Sequence, residues 1–362
     1  MDDAQDAGRL AARALALVDI PSVSRDEARC AAYVADAMPS SLQVLFHDDD
    51  ALLCATPRTP GRPFVVLAGH YDTVPAQENL PGRIEDGWVV GLGATDMKGG
   101  LAVMIELARW LDAEVPERAV DVGFLFFARE ELPVAESPLP AVFAACPALR
   151  EADLAIVLEP TDNAIQAGCL GNVNATLSFT GRAAHSARPW TGENAIAKAV
   201  EQLRPVVAVE PREVVIEGLR FVEVLSVTRI NGGVADNVVP DRVEARLNFR
   251  YAPDRTPAAA EARLRELVGE AGALEITSNS GPARVAISTP VAERLRTAGP
   301  FAVEPKQAWT PVAQFSEEGL DAVNLGPGAT RYAHTRDERC EIEALLATYR
   351  ALQRFVAADA AS

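Results

Sequence analysis

Several stretches of this chain end on side chains that bind divalent cations. His70 closes the apolar run "VVLAGH", Glu130 and Glu131 follow "FLFFAR", Glu159 follows "LAIVL", and His334 lies in the loop after "VNLGPG". Asp96 stands between the first two, in the glycine-rich stretch "GLGATDMKGGLA". Asp72 follows His70 by two residues and shares its face wherever the chain stays extended. Two imidazoles with several carboxylates suit borderline divalent ions such as zinc, with cobalt or manganese also accommodated. A carboxylate can bridge two such ions roughly 3.5 to 4 Å apart, a spacing that serves hydrolysis. Each signal alone is weak; His47 in "LFHDDD" reads as an ordinary core or surface histidine. Jointly they carry more. Charged pairs directly after buried strands are unfavourable by roughly several kcal/mol unless a counter-charge compensates, and two of the four histidines, His70 and His334, fall in these motifs.

Such residues need strand ends to hold them. The runs "FVVLAG" (64–69), "VGFLFFA" (122–128) and "LAIVL" (154–158) are apolar on both faces and alternate with helical patterns such as "LAVMIELARWL" (101–111). They predict an α/β fold with a mixed, mainly parallel sheet covered by helices, in which ligands gather at the carboxyl ends of strands. From about residue 172 the texture changes to strict alternation. Val173, Ala175, Leu177 and Phe179 face one way in "NVNATLSFT", and Val243, Ala245, Leu247 and Phe249 do so in "RVEARLNFR". With "EVLSVTRI" before and "LEITS" after, two helices complete the set. "ENAIAKAVEQL" carries Ile196, Val200 and Leu203 in register, and "TPAAAEARLRELVGEAG" opens on Thr256 as cap and Pro257 in the first turn. The order strand, helix, strand, strand, helix, strand predicts a ferredoxin-like α+β domain. The expected division is a domain of residues 1–172 plus 282–362 that carries the metal-binding side chains, with a smaller domain inserted at 173–281. "LDAVNLGPG" returns to the first texture as a late buried strand, and "EIEALLATYRALQRFV" makes a closing amphipathic helix.

Composition narrows the function classes. A chain of 362 residues with 49% hydrophobic content exceeds the usual size of one compact domain. A formal net charge of -17 argues against a nucleic-acid or anionic-membrane partner. No apolar run approaches the ~20 residues that span a bilayer, and the acidic start "MDDAQDAGRL" does not read as a signal peptide, so a cytoplasmic location is expected. Cys30, Cys54, Cys146, Cys169 and Cys340 are odd in number, scattered and without a CxxC pair. They read as reduced core thiols rather than a disulfide framework or zinc ribbon.

The ordered motifs "GHYDTVP", "GLGATDMKGGLA", "FFAREEL", "VLEP", "GRAAHSARPWTGENAI", "RINGGVADNVVPD", "NFRYAPDR" and "NLGPG…AHTRDE" cover nearly the whole chain. Together they resemble the di-zinc metallopeptidase family of aminoacylases, acetylornithine deacetylases and succinyl-diaminopimelate desuccinylases. "AGCLGN", "AHSARPWTGENAI", "NFRYAPDR" and "GPG…AHTRDER" most resemble its actinobacterial desuccinylase branch. The resemblance implies two divalent ions per chain, zinc or else cobalt. It makes His70 and Glu159 ligands of one, Glu131 and His334 ligands of the other, and Asp96 the bridge. Glu130 is then the general base, and Asp72 orients His70 through its far ring nitrogen.

By the same resemblance His185 of "AAHSARP" stabilises the oxyanion, often from a partner subunit of a homodimer formed through the inserted domain. Arg250 and Asn237 contact a substrate carboxylate, a task for which guanidinium offers a bidentate fork. Gly326 and Gly328 let backbone amides approach the substrate or form a plain tight turn. The implied reaction is hydrolysis of an N-acyl amino acid, first of all N-succinyl-L,L-diaminopimelate. Another N-acyl-amino-acid amidohydrolase or a metallo-exopeptidase is the alternative, and a non-catalytic metal or amino-acid binder is a different class, against which an intact Glu130 argues. Three departures from the family pattern leave the acyl group open. The proline-rich "LPVAESPLP" follows the paired glutamates, Asn172 follows Gly171 where a threonine is frequent, and Tyr71 replaces a more usual aliphatic or small residue.

Overall fold

The strands that carry the candidate residues are buried along their whole length. Phe64–His70 and Asp121–Phe127 are covered at every position, as unbroken apolar runs in a parallel sheet require. In this computed structural model, which describes residues 2–114 and 117–358, the main sheet has eight strands. Their order is Gln43–His47, Ala51–Ala55, Asp121–Phe127, Phe64–His70, Leu154–Val157, Ala322–Asn324, Ile165–Cys169 and Val303–Lys306. The four central strands, Asp121–Phe127 to Ala322–Asn324, run parallel. Antiparallel strands flank them, including the pair at 43–55 whose short runs gave no sequence signal. His47 ends the outermost of these and is exposed. Helices Asp3–Val18, Gly99–Glu114 and Ile342–Val356 pack on one another.

The chain divides into two compact units. The first takes Met1–Ala167, Ala286–Glu304 and Gln314–Ser362; the second takes Gly168–Val285 and Pro305–Ala313. The second unit therefore begins five residues before the change of texture at 172/173 and also claims the short segment Pro305–Ala313.

The second unit is built on a five-stranded sheet ordered Arg212–Ile216, Leu219–Gly232, Arg242–Tyr251, Gly171–Thr180, Ala273–Ser280. Adjacent strands are antiparallel. Four of them with helices Ala195–Val207 and Pro257–Val268 give the ferredoxin-like order, and Arg212–Ile216 is an added edge hairpin. Thr256 caps the second helix by accepting the Ala259 N–H at 3.2 Å. Val173, Ala175, Leu177 and Phe179 are buried with Val243, Ala245, Leu247 and Phe249 beneath the helices.

The first of these helices turns differently from the expectation. Its buried face is Ala195, Ala199, Leu203 and Val206, whereas Ile196 is 41% and Val200 68% exposed. Small alanines let the helix axis approach the sheet closely, and only one stripe can face the core. The five cysteines are free and buried. Among the described residues no helix is long and apolar enough to cross a membrane.

Candidate metal centre

The Phe64–His70 strand stops at His70, and Tyr71 N–H still donates to Phe127 O at 3.0 Å. Asp72 thus lies just past the strand end rather than within it, but it keeps to the side of His70. Its Oδ1 is 3.2 Å from His70 Nδ1, and its main-chain oxygen is 3.1 Å from the same atom. The far nitrogen, Nε2, lies 3.3 Å from Asp96 Oδ1 and 3.7 Å from Glu159 Oε1.

Asp96 looks both ways. Its second oxygen, Oδ2, is 3.4 Å from His334 Nε2, which in turn is 2.9 Å from Glu131 Oε1. Two clusters result, His70–Asp96–Glu159 and Asp96–Glu131–His334, joined by one carboxylate that turns one oxygen to each. A third grouping brings Glu130 and Glu131 within reach of His70.

Asp72 also positions the paired glutamates. It accepts the Glu130 N–H at 3.0 Å and the Glu131 N–H at 3.2 Å, and the Ser24 hydroxyl donates to it at 2.7 Å. Glu131 points its carboxylate at His334, whereas the Glu130 side chain enters no hydrogen bond or ion pair among the described residues. The proline-rich stretch after them is tied down at its middle, where Glu136 pairs with Arg25 at 2.7 Å.

Glu338, in the motif "AHTRDE", has a role that only the structure shows. Its buried carboxylate accepts the backbone N–H of Gly93 at 2.9 Å, Thr95 at 3.2 Å and Asp96 at 3.1 Å. It therefore shapes the turn that presents Asp96. The one legible signal was its place four residues after His334.

Gly326 N–H donates to Thr161 Oγ1 at 3.1 Å. A Cβ there would stand 2.3 Å from the Leu158 and Glu159 carbonyl oxygens, and one at Gly328 2.5 Å from Thr95 O. These glycines let the loop pass against the backbone that carries Glu159 and the Asp96 turn.

Three further candidates belong to the second unit. His185 is exposed on a short strand, and its Nδ1 accepts the Ala187 N–H at 3.0 Å. Asn237 is exposed, and its main-chain oxygen accepts from Ser186 N–H at 2.9 Å, bracing the same turn. Arg250 is half-buried, with no carboxylate within ion-pair distance among the described residues.

Electrostatics follow from five carboxylates around two imidazoles. Hydrogen bonds to Asp96 and Glu131 push His334 up to about 10. Burial works against charge on His70, but bonds to Asp72 and Asp96 outweigh it and hold the ring well above the usual imidazole range. Burial likewise opposes ionisation of Asp96, yet the imidazoles of His334 and His70 keep it well below the carboxylate range. Burial, and next the charge of Glu159, push Glu130 well above it. Glu338 is pushed up to about 7 by burial, which outweighs the amides it accepts.

Even two protonated imidazoles leave this set with excess negative charge in a largely buried place, which is unfavourable without cations. The N and O donors suit zinc, cobalt or manganese. The geometry accommodates a pair of divalent ions sharing Asp96.

Comparison with known proteins agrees. A Mycobacterium tuberculosis protein assigned as a succinyl-diaminopimelate desuccinylase is 39% identical over 348 residues, spanning 94% of this chain and 96% of its own. The succinyl-diaminopimelate desuccinylase of Corynebacterium glutamicum is 37% identical over 336 residues, 90% of each chain. The crystal structure of aminopeptidase PepT from Bacillus cereus shares the fold, with a TM-score of 0.79 at 21% identity over 97% of this chain and 98% of that one. Since residues 66–358 match the family described as Peptidase family M20/M25/M40, the chain belongs to that family and is a metal-dependent hydrolase.

Proposed function

We propose that the chain hydrolyses the amide bond of N-succinyl-L,L-2,6-diaminopimelate, releasing succinate and L,L-diaminopimelate, with two zinc ions per chain. The substrate rests on relatives of that name at 37–39% identity over nine-tenths or more of the chain. The mechanism rests on one observation, the contrast between adjacent glutamates: Glu131 lies 2.9 Å from His334, while the Glu130 carboxylate makes no hydrogen bond or ion pair among the described residues.

His70 with Glu159, and Glu131 with His334, would hold one cation each, and Asp96 would hold both. When bound, the pair supplies Lewis acidity and makes water acidic enough to react near neutral pH. Glu130 takes the proton of the attacking water and returns it to the departing nitrogen. Burial raises its proton affinity, the direction that suits a group that must accept and then donate. Asp72 fixes the ring of His70 through Nδ1 and leaves Nε2 for the cation.

His185 is assigned to the oxyanion. The Ala187 N–H occupies Nδ1, so the neutral ring carries its proton on Nε2, as a donor. Arg250 and Asn237 are assigned to a substrate carboxylate. We further propose a homodimer formed through the second unit. Ile196, Val200 and Val207 expose apolar surface on one helix, and Leu219–Gly232 outruns its hairpin partner, which pairs only up to Glu223. A cytoplasmic location accords with five unpaired cysteines.

Turnover of N-succinyl-L,L-diaminopimelate against acetylornithine, N-acetyl amino acids and dipeptides, each with added zinc, tests the assignment. The desuccinylase reading predicts the highest kcat/KM for the first. A higher value for any of the others overturns it.

A further inference from the structure

We propose that Asn248, held by Asn172 and Asn174, is a positioning residue that aims Arg250 so that a substrate carboxylate meets its two terminal nitrogens. This rests on the assignment of Arg250 to the substrate.

Arg250 Nε donates to Asn248 Oδ1 at 2.9 Å. Since guanidinium has only donors, the amide oxygen of Asn248 must face it. The Asn248 amino group then points the other way and donates to Asn172 Oδ1 at 2.7 Å and Asn174 Oδ1 at 2.8 Å. Asn174 passes the chain on, donating to Ser278 Oγ at 3.0 Å. Strand register builds this row. Asn248 lies opposite Asn174, Arg250 opposite Asn172, and Ser278 opposite Asn174, so one polar face of three adjacent strands carries the whole ladder. Turning the Asn248 amide over would set its amino group against the guanidinium and its oxygen against two carbonyl oxygens, losing all three bonds at once.

Two consequences follow for Arg250. Its Nε–H is taken, which leaves the fork between Nη1 and Nη2 as the face open to a carboxylate. Its charge remains whole, because amides orient it without neutralising it. A carboxylate at position 248 would hold the guanidinium as firmly but compete with the substrate for its charge. Partial burial, with no carboxylate within ion-pair distance among the described residues, disfavours that charge, so an incoming carboxylate is correspondingly favoured. The ladder also gives a use to Asn172, one of the positions where the sequence departs from its family pattern.

A double-mutant cycle with N-succinyl-L,L-diaminopimelate and the zinc-loaded enzyme tests the proposal. Asn248→Ala and Asn172→Ala should each raise KM about tenfold, the effect of one lost orienting hydrogen bond, with kcat within about threefold of wild type. Asn248→Asp should raise KM further, about hundredfold, although it preserves a partner for Nε. On an Arg250→Ala background, Asn248→Ala should change KM by less than about twofold. If Asn248→Ala acts equally on both backgrounds, lowers kcat without raising KM, or has no effect, the positioning role is overturned. If Arg250→Ala itself leaves KM unchanged, the assignment of Arg250 fails first and takes the proposal with it. Thermal melts accompany each variant. Should Asn248→Ala not fold, Asn172→Ala, which removes one acceptor and leaves Asn174, carries the same cycle.

Discussion

Replacing Glu130 with glutamine separates the proton carrier from the ligands beside it. The exchange keeps size and removes the ability to accept a proton. Since the Glu130 side chain makes no hydrogen bond or ion pair among the described residues, the exchange breaks none. The charge of Glu159, which raises the proton affinity of Glu130, meets one repelling neighbour fewer. Stability and metal content should therefore stay near wild type. Loss of a general base lowers the rate about 10²–10⁴-fold, which at about 1.36 kcal/mol per tenfold is roughly 2.7–5.5 kcal/mol of barrier. Glu131→Gln should behave oppositely, because it weakens the 2.9 Å contact with His334 in the Asp96–Glu131–His334 cluster. Its metal content should fall toward one ion per chain. The assay is kcat at saturating zinc, elemental analysis of the dialysed protein and a thermal melt. A Glu130→Gln enzyme within about tenfold of wild-type kcat, or one that has lost metal, refutes the division of roles.

Glu338→Gln puts an amide NH₂ among three backbone donors, leaving at least one unsatisfied at about 1–3 kcal/mol; the melting temperature should fall and zinc should yield to a competing chelator more readily than in wild type. Chelator-stripped protein should release protons when zinc is added at pH 8, because His334 at about 10 is still protonated there. Calorimetry in buffers of different ionisation enthalpy reads this, and apparent affinity should rise from pH 6 to 8; zinc uptake without proton release contradicts it. In the stripped protein the raised His334 value stabilises the fold fully below its ordinary 6.5, and that contribution fades as pH rises through about 10. His185→Ala should lower turnover about 10²-fold with both ions retained, and mixing it with Glu130→Gln chains should restore activity if His185 is donated between subunits. Demonstrated exchange without recovery confines His185 to its own chain.

Much of the centre was legible because ligand type and strand end coincide locally. An apolar run closed by His70, or by Glu130 and Glu131, shows both the burial and the break in it. The ferredoxin-like order was legible for a similar reason, since a period of two along Val173–Phe179 and Val243–Phe249 is a property of neighbours in sequence. Helical facing was harder. Ile196 and Ala195 are adjacent, both fit an apolar stripe, and only the space beneath the helix selects the alanine.

By itself the sequence determined the donor set, the sheet that presents it and the family motifs. Tertiary structure decided which donors face which. Glu130 and Glu131 are chemically identical neighbours, and no local pattern says that one meets His334, 203 residues away, while the other makes no hydrogen bond or ion pair among the described residues. The same holds for Glu338, whose hold on Asp96 spans 242 residues, and for Asn248, whose amino group meets Asn172 and Asn174 on the next strand. Hydrophobic burial is written in short periodicities because it needs only a face. Hydrogen bonds and shared charges need a particular atom at about 3 Å, and that proximity exists only once distant segments have packed.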